Sequence, residues 1–154
     1  MFLAFFTITS FKAIAEETTV IVEHSNLQET VISVELGTWS IFEGELLFID
    51  GTPLLQEGAP NLLKLTKSII IPDQARMKIE VVSSSFKEYH NVDILPSKGN
   101  LYRNIDPATV PLIYGEIYQK NAFFPGQLAE LRTPHIIRDF RGQTAVIYPF
   151  QYNP

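Results

Sequence analysis

The amino-acid sequence predicts an all-β domain, an antiparallel β-sandwich of jelly-roll or Greek-key type with a long loop region rich in Pro, Gly and aromatic residues. Three observations carry that expectation. Short β-branched or alternating apolar runs recur along the chain, helical periodicity is hard to find, and 10 Pro and 8 Gly punctuate the runs. Short strands closed by turn residues favour packed antiparallel layers over a helical or α/β arrangement. At 154 residues, 45% hydrophobic and 19% charged, the chain can bury one core and lacks the composition of a disordered segment.

The strands are expected in order. Thr18–Glu23 is β-branched, and Val31–Leu36 alternates Ile32, Val34 and Leu36 against Ser33 and Glu35. Glu45–Ile49 runs into Asp50-Gly51, a hairpin-type dipeptide. Leu65–Ile71 ends on three isoleucines before Pro72, which cannot donate to a ladder. Met77–Val81 sets Met77, Ile79 and Val81 against Lys78 and Glu80, the pattern of a strand with one wet face. A weaker run, Phe86–Leu95, ends at Pro96. Ile136–Phe140 and Thr144–Tyr148 then read as a hairpin turning on Arg141-Gly142-Gln143.

The two ends read differently. Residues 1–15 are expected to be a signal peptide lacking its basic start: Phe2–Phe11 is an apolar run of h-region length, and Ala13-Ile14-Ala15 supplies an A-x-A cleavage site. The alternative is a buried first strand. No other stretch approaches the about 18 apolar residues of a membrane span. At the other end Tyr152-Asn153-Pro154 is a turn signal after a strand-like run, so residues 16–154 are read as a domain lacking its last strand or strands.

Composition excludes much chemistry. With no Cys there is no disulfide, no thiolate metal site and no cysteine nucleophile. Twelve Lys and Arg against 17 Asp and Glu give a net charge of −5, which disfavours nucleic acid as a partner. His24, His90 and His135 lack metal-ligand spacing, so neither a metal nor another cofactor is expected. There is no G-x-S-x-G elbow, P-loop or G-x-G-x-x-G, and Ser83-Ser84-Ser85 reads as a strand end. Glu43 and Glu45 could flank a sugar ring, but they read better as the polar face at the start of a strand. No catalytic residue is expected.

Pro96–Pro134 breaks the strand rhythm. It holds Pro96, Pro107, Pro111, Pro125 and Pro134, and also Leu101, Tyr102, Tyr114, Tyr118, Phe123 and Phe124. Aromatics at that density argue for a loop that packs on something, and long ordered loops usually carry function. Within it, Pro96-Ser97-Lys98-Gly99-Asn100-Leu101-Tyr102-Arg103-Asn104-Ile105-Asp106-Pro107 has the shape of a peptide offered to a pocket. Arg103 can grip a buried carboxylate through two parallel hydrogen bonds, which Lys cannot copy. A solvated loop arginine is the plainer reading of the same residue. Arg138, Asp139 and Arg141 are read as structural, alternating charges around a turn at Gly142.

The blocks PSKGNLYRNIDP, YGEIYQKNAFFPGQLAEL and PHIIRDFRGQTAVIYPFQYNP, preceded by EGAPNLLKLTKSIIIP and MKIEVVSS, resemble the N-terminal propeptide of gingipain-type cysteine peptidases. The resemblance covers roughly residues 57–154, with R-D-x-R-G-Q and Q-Y-N-P its specific blocks; residues 16–56 match only as generic strands, and Leu63 stands where the family usually has Pro. It implies a secreted zymogen whose β-sandwich prodomain covers the cleft of a downstream catalytic domain, keeps it latent and aids its folding. In arginine-specific members an Arg in the loop after Pro-Ser-Lys-Gly enters the primary specificity pocket; that Arg falls on Arg103, flanked by Leu101, Tyr102 and Asn104. Lys98, Tyr114, Phe123 and Phe124 are possible interface residues, though the aromatics suit the domain's own core equally. The implied partner is the catalytic domain of the same precursor, bound intramolecularly. The implied location is outside the cell or on the outer-membrane surface of a Gram-negative bacterium. A rival expectation is a secreted β-sandwich binding module for carbohydrate or a cell-surface partner, presenting Trp39, Tyr114 and Tyr118 as a ring platform.

Overall fold

A computed structural model describes residues 16–154; the expected signal peptide at residues 1–15 lies outside them. Every strand pairing among the described residues is antiparallel, and two short 3-10 turns but no α-helix accompany the strands. Strands β1 (Thr19–Ser25) and β2 (Thr30–Glu35) form a hairpin turned by Asn26, whose side-chain oxygen accepts the backbone N–H groups of Gln28 and Glu29 at 2.7 and 2.9 Å. Strands β3 (Trp39–Phe42) and β4 (Glu45–Phe48) form a second hairpin around Glu43 and Gly44, both left-handed with φ of 49° and 81°. That is the two-residue turn whose twist matches antiparallel strands.

The third sheet has five strands. β5 (Thr52–Pro53) borders β6 (Leu63–Ile70), and β6 pairs along six residues with β9 (Phe140–Ile147). The other edge of β9 is shared by β7 (Ala129–Leu131) and β8 (His135–Ile137), separated by a break that contains Pro134. Pro has no N–H to give a ladder, so the break falls where the sequence removes a donor. β9 is the central strand, and its Ala145-Val146 pair is buried as expected for a strand covered on both faces. The core gathers Leu46 and Phe48 of β4 with Leu62, Leu63, Leu65 and Ile94, and Trp39, Phe124, Phe150 and Tyr152 pack against it.

Three expectations need correction. Met77–Val81 and Phe86–Leu95 are not strands: residues 74–93 run without ladder partners, and only Pro96 makes an isolated bridge, to Pro60. Alternation is a local signal, and a strand also needs a neighbour. The last hairpin turns at Arg138-Asp139, between Ile137 and its partner Phe140, while Arg141, Gly142 and Gln143 lie inside β9. Gly142 is there because the His135 ring covers it, with Nε2 only 3.1 Å from where a Cβ would stand. Arg141 has a structural contact, its guanidinium donating to the carbonyls of Asp73 and Ala75.

The phenol of Tyr148 donates to Glu130 Oε1 at 2.7 Å, and burial, followed by the adjacent carboxylate, pushes its pKa up to about 12. The folded chain thus holds this proton more tightly than the unfolded chain, whose tyrosines titrate near about 10. Its contribution to stability is complete below about pH 10 and is lost as pH rises towards about 12. Denaturation midpoints measured from pH 9 to 12 should fall, and fall less steeply in Tyr148→Phe.

Candidate functional site

The loop at 98–107 rises from a buried stem. Residues 58–61 and 95–97 run antiparallel, with Ser97 N–H donating to the Ala59 carbonyl at 2.7 Å, Gly58 N–H to Ser97 at 3.0 Å and Asn61 N–H to Leu95 at 2.9 Å. Ala59, Pro60, Ile94 and Ser97 are buried, so the stem continues the core. The chain returns to the same anchor on its way out, where Gly115 N–H donates to the Gly58 carbonyl at 2.9 Å. A Cβ on residue 115 would lie 2.7 Å from that oxygen, so the crossing requires glycine. Gly99, at φ +75°, supplies the left-handed residue that turns the chain out of the stem.

Above the stem the loop closes on itself. Lys98 Nζ donates to the Pro107 carbonyl at 2.7 Å, tying the loop's first residue to its last. Asp106 accepts the Ala108 N–H at 2.9 Å, and Thr109 donates to the Asp106 carbonyl through both N–H and Oγ1. At the far end the Ile105 N–H donates to the Tyr102 carbonyl at 3.0 Å, a turn with Arg103 and Asn104 at its two central positions. Tyr102 is 79% exposed; Arg103 and Asn104 are exposed, and Leu101 is half-buried beneath them. Among the described residues, no carboxylate pairs with Arg103. The arrangement holds a bare guanidinium outward on a short, doubly closed loop.

The other expected site residues separate. Lys98 is the clasp of the loop rather than a free surface cation. Phe124 packs against the core and exchanges two 2.8 Å backbone hydrogen bonds with Tyr152. Phe123 and Tyr114, each 56% exposed, stay at the surface. Trp39, Tyr114 and Tyr118 do not form one platform. Trp39 meets Tyr89 and Phe150 edge-on beside the core, whereas Tyr114 and Tyr118 meet at 72° in a separate cluster with Tyr152. Glu43 sits in the β3–β4 turn and Glu45 is the exposed first residue of β4. The three histidines lie apart, on β1, in the unpaired segment and on β8, and no three His, Asp or Glu gather among the described residues. Sequence reasoning missed Glu57–Asn61 as the anchor of the loop; its signal was Gly58 and Pro60 standing directly before a strand.

Comparison with known proteins places the chain in a family. The Propeptide_C25 family model matches residues 8–154, so the likeness extends through the N-terminal hairpins as well as residues 57–154. Gingipain R1 of Porphyromonas gingivalis is 48% identical over 107 residues, which cover 70% of this chain and 11% of that protein. Gingipain R2 of the same species is 40% identical over 129 residues, 84% of this chain and 17% of that protein. The chain therefore spans less than a fifth of either relative. Among solved structures, a chain from the complex of Porphyromonas gingivalis RgpB pro- and mature domains superposes with a TM-score of 0.68 at 33% identity, over 91% of this chain and 67% of that one. A structure on the zymogenic latency of gingipain K from the same species shares the fold, with a TM-score of 0.63 at 19% identity over 88% of both chains.

Proposed function

The chain belongs to the C25 propeptide family, and from that premise we propose that it is the prodomain of a gingipain-type cysteine peptidase precursor that holds the downstream catalytic domain latent by seating Arg103 in its primary specificity pocket. The observation that carries this reading is the exposed Arg103, without an ion pair among the described residues, at the tip of a loop clasped by Lys98 and rooted in buried backbone. A pocket that selects arginine offers a carboxylate to a planar guanidinium, and Arg103 meets it with little ordering cost because its loop is already closed. Tyr102 and Ile105, both exposed and bonded to each other across the turn that carries Arg103, supply an apolar surround that excludes water from the pair. Tethering makes the docking intramolecular, at an effective concentration on the order of millimolar. The same docking templates folding of the catalytic domain, and export places the precursor outside the cell or at the outer surface of a Gram-negative bacterium. The thiol of the reaction then belongs to the catalytic domain, since this chain has no Cys.

The test is inhibition in trans. Residues 16–154, mixed with a mature arginine-specific peptidase of this family, should inhibit cleavage of small arginyl substrates competitively. Absence of inhibition at every concentration reached overturns the reading. The clasp gives a finer prediction: Lys98→Met removes one hydrogen bond that pre-forms the loop. It should weaken inhibition by about three- to tenfold with the thermal midpoint nearly unchanged, because the bond lies outside the core.

A further inference from the structure

A recess adjoins the loop stem. Glu43 and Gly44 of the β3–β4 turn, Asp93 to Leu95, and Tyr114, Tyr118 and Tyr152 surround a cleft of about 450 Å³. Its parts are fixed by backbone bonds: Leu95 N–H donates to the Gly44 carbonyl at 2.8 Å, and Tyr152 is held through Phe124. Tyr118 stands in the middle, its hydroxyl donating to the Ile94 carbonyl at 2.7 Å, its ring 4.8 Å from Tyr114 and 6.1 Å from Tyr152. The lining holds two carboxylates and three aromatic rings but no Lys, Arg or His, and neither Glu43 nor Asp93 forms an ion pair among the described residues. Burial, then the neighbouring tyrosines and Asp93, keep the Tyr118 phenol protonated beyond the ordinary phenol range, so the ring stays a neutral face.

Ring faces carry negative electrostatic potential and attract cations, more strongly where water is displaced. Two carboxylates beside them add charge-assisted hydrogen-bond acceptors. An anion is repelled from such a recess, and a hard divalent ion wants six or more oxygen ligands that ring faces do not provide. A guanidinium or ammonium group on a side chain suits both the chemistry and the volume. We propose that the Glu43–Asp93–tyrosine cleft receives a cationic side chain from the peptidase domain, a second anchor of polarity opposite to Arg103. The identity of that donor rests on the prodomain reading, whereas the cation site does not. The two anchors share one segment, since residues 93–95 line the cleft and residues 95–97 form the loop stem, so docking at one sets the register of the other.

The experiment has two arms. In the first, the full chain is titrated with N-acetylarginine methylamide and with its neutral citrulline counterpart while tyrosine ring resonances are followed. The arginine compound should shift the Tyr114, Tyr118 and Tyr152 signals saturably, the citrulline compound should not, and E43Q/D93N should abolish the response. Equal shifts from both compounds, no shift from the arginine compound, or shifts that persist in E43Q/D93N overturn the site. Both substituted carboxylates are exposed and the replacements isosteric, and circular dichroism of the variant verifies its fold. In the second arm, E43Q/D93N should bind a mature arginine-specific peptidase on the order of tenfold more weakly, by the same factor in the R103A background. Unchanged affinity for the peptidase overturns the peptidase as donor and leaves small free cations as the ligand. A loss in E43Q/D93N with none in R103A supports the cleft and removes the pocket role of Arg103 instead.

Discussion

Arg103→Ala is expected to raise the inhibition constant of this chain against an arginine-specific gingipain-type peptidase by roughly one to four orders of magnitude. Truncating one side of a desolvated, hydrogen-bonded charge pair costs about 2–5 kcal/mol, and each 1.4 kcal/mol or so is a decade in affinity. The side chain makes no ion pair among the described residues, so its loss disturbs little in the domain itself. The fall in affinity should therefore come with an unchanged thermal midpoint. Arg103→Lys should recover only part of the loss, because an ammonium cannot make the paired, planar contact of a guanidinium. In a precursor the same substitution should let the catalytic domain work before its prodomain is removed. Inhibition equal to wild type would place the contact elsewhere on the surface.

Leu62→Ala separates folding from docking. Leu62 is 2% exposed in the cluster with Leu46, Phe48, Leu63, Leu65 and Ile94, and its N–H and carbonyl bond Pro60 and Leu54. Replacing a fully buried leucine by alanine costs about 2–5 kcal/mol in lost transfer energy and cavity. That is a large part of the about 5–15 kcal/mol that holds an ordinary domain together. The expected drop in thermal midpoint is roughly 6–25 °C for a domain of this size. Below that midpoint the folded variant should inhibit nearly as well as wild type, since Arg103 and its clasp are untouched. Arg103→Ala and Leu62→Ala thus give opposite patterns in the same two assays.

Much of the fold was legible because strands write themselves locally. β1, β2, β4, β6 and the end of β9 each coincide with a β-branched or continuous apolar run. β3 was missed because four residues starting at Trp39 carry too little pattern, although the Glu43-Gly44 turn marks its end. Met77–Val81 shows the reverse failure: its alternation is clean, and Met77 and Ile79 are half-buried while Lys78 and Glu80 are exposed, but nothing in its own sequence supplies a pairing partner. Gly142 misled in a similar way, since it suggested a turn and instead makes room for the ring of His135 across the ladder.

The site divides along the same line. A Pro-bounded segment with Arg103 inside it reads as a presented loop, and the turn from Tyr102 to Ile105 agrees. The Lys98–Pro107 clasp has no periodic signature, because a side chain meeting a carbonyl nine residues on depends on the path of the loop between them. The tyrosine cleft was out of reach altogether. Its walls come from residues 43–44, 93–95, 114, 118 and 152, and only the fold brings them together. Phe123 and Phe124 make the same point at closest range: adjacent and identical in type, one faces out and the other packs on the core.

The central claim is that Arg103 and a substrate arginine compete for one pocket, and competition with benzamidine tests it most directly. Benzamidine is a planar amidinium small enough to fill an arginine pocket without touching the rest of the cleft. With the pocket occupied, the apparent inhibition constant of wild-type chain should rise linearly with benzamidine concentration, while the residual binding of Arg103→Ala should not respond. Wild-type binding that is indifferent to benzamidine, at concentrations that block substrate cleavage, would contradict the account.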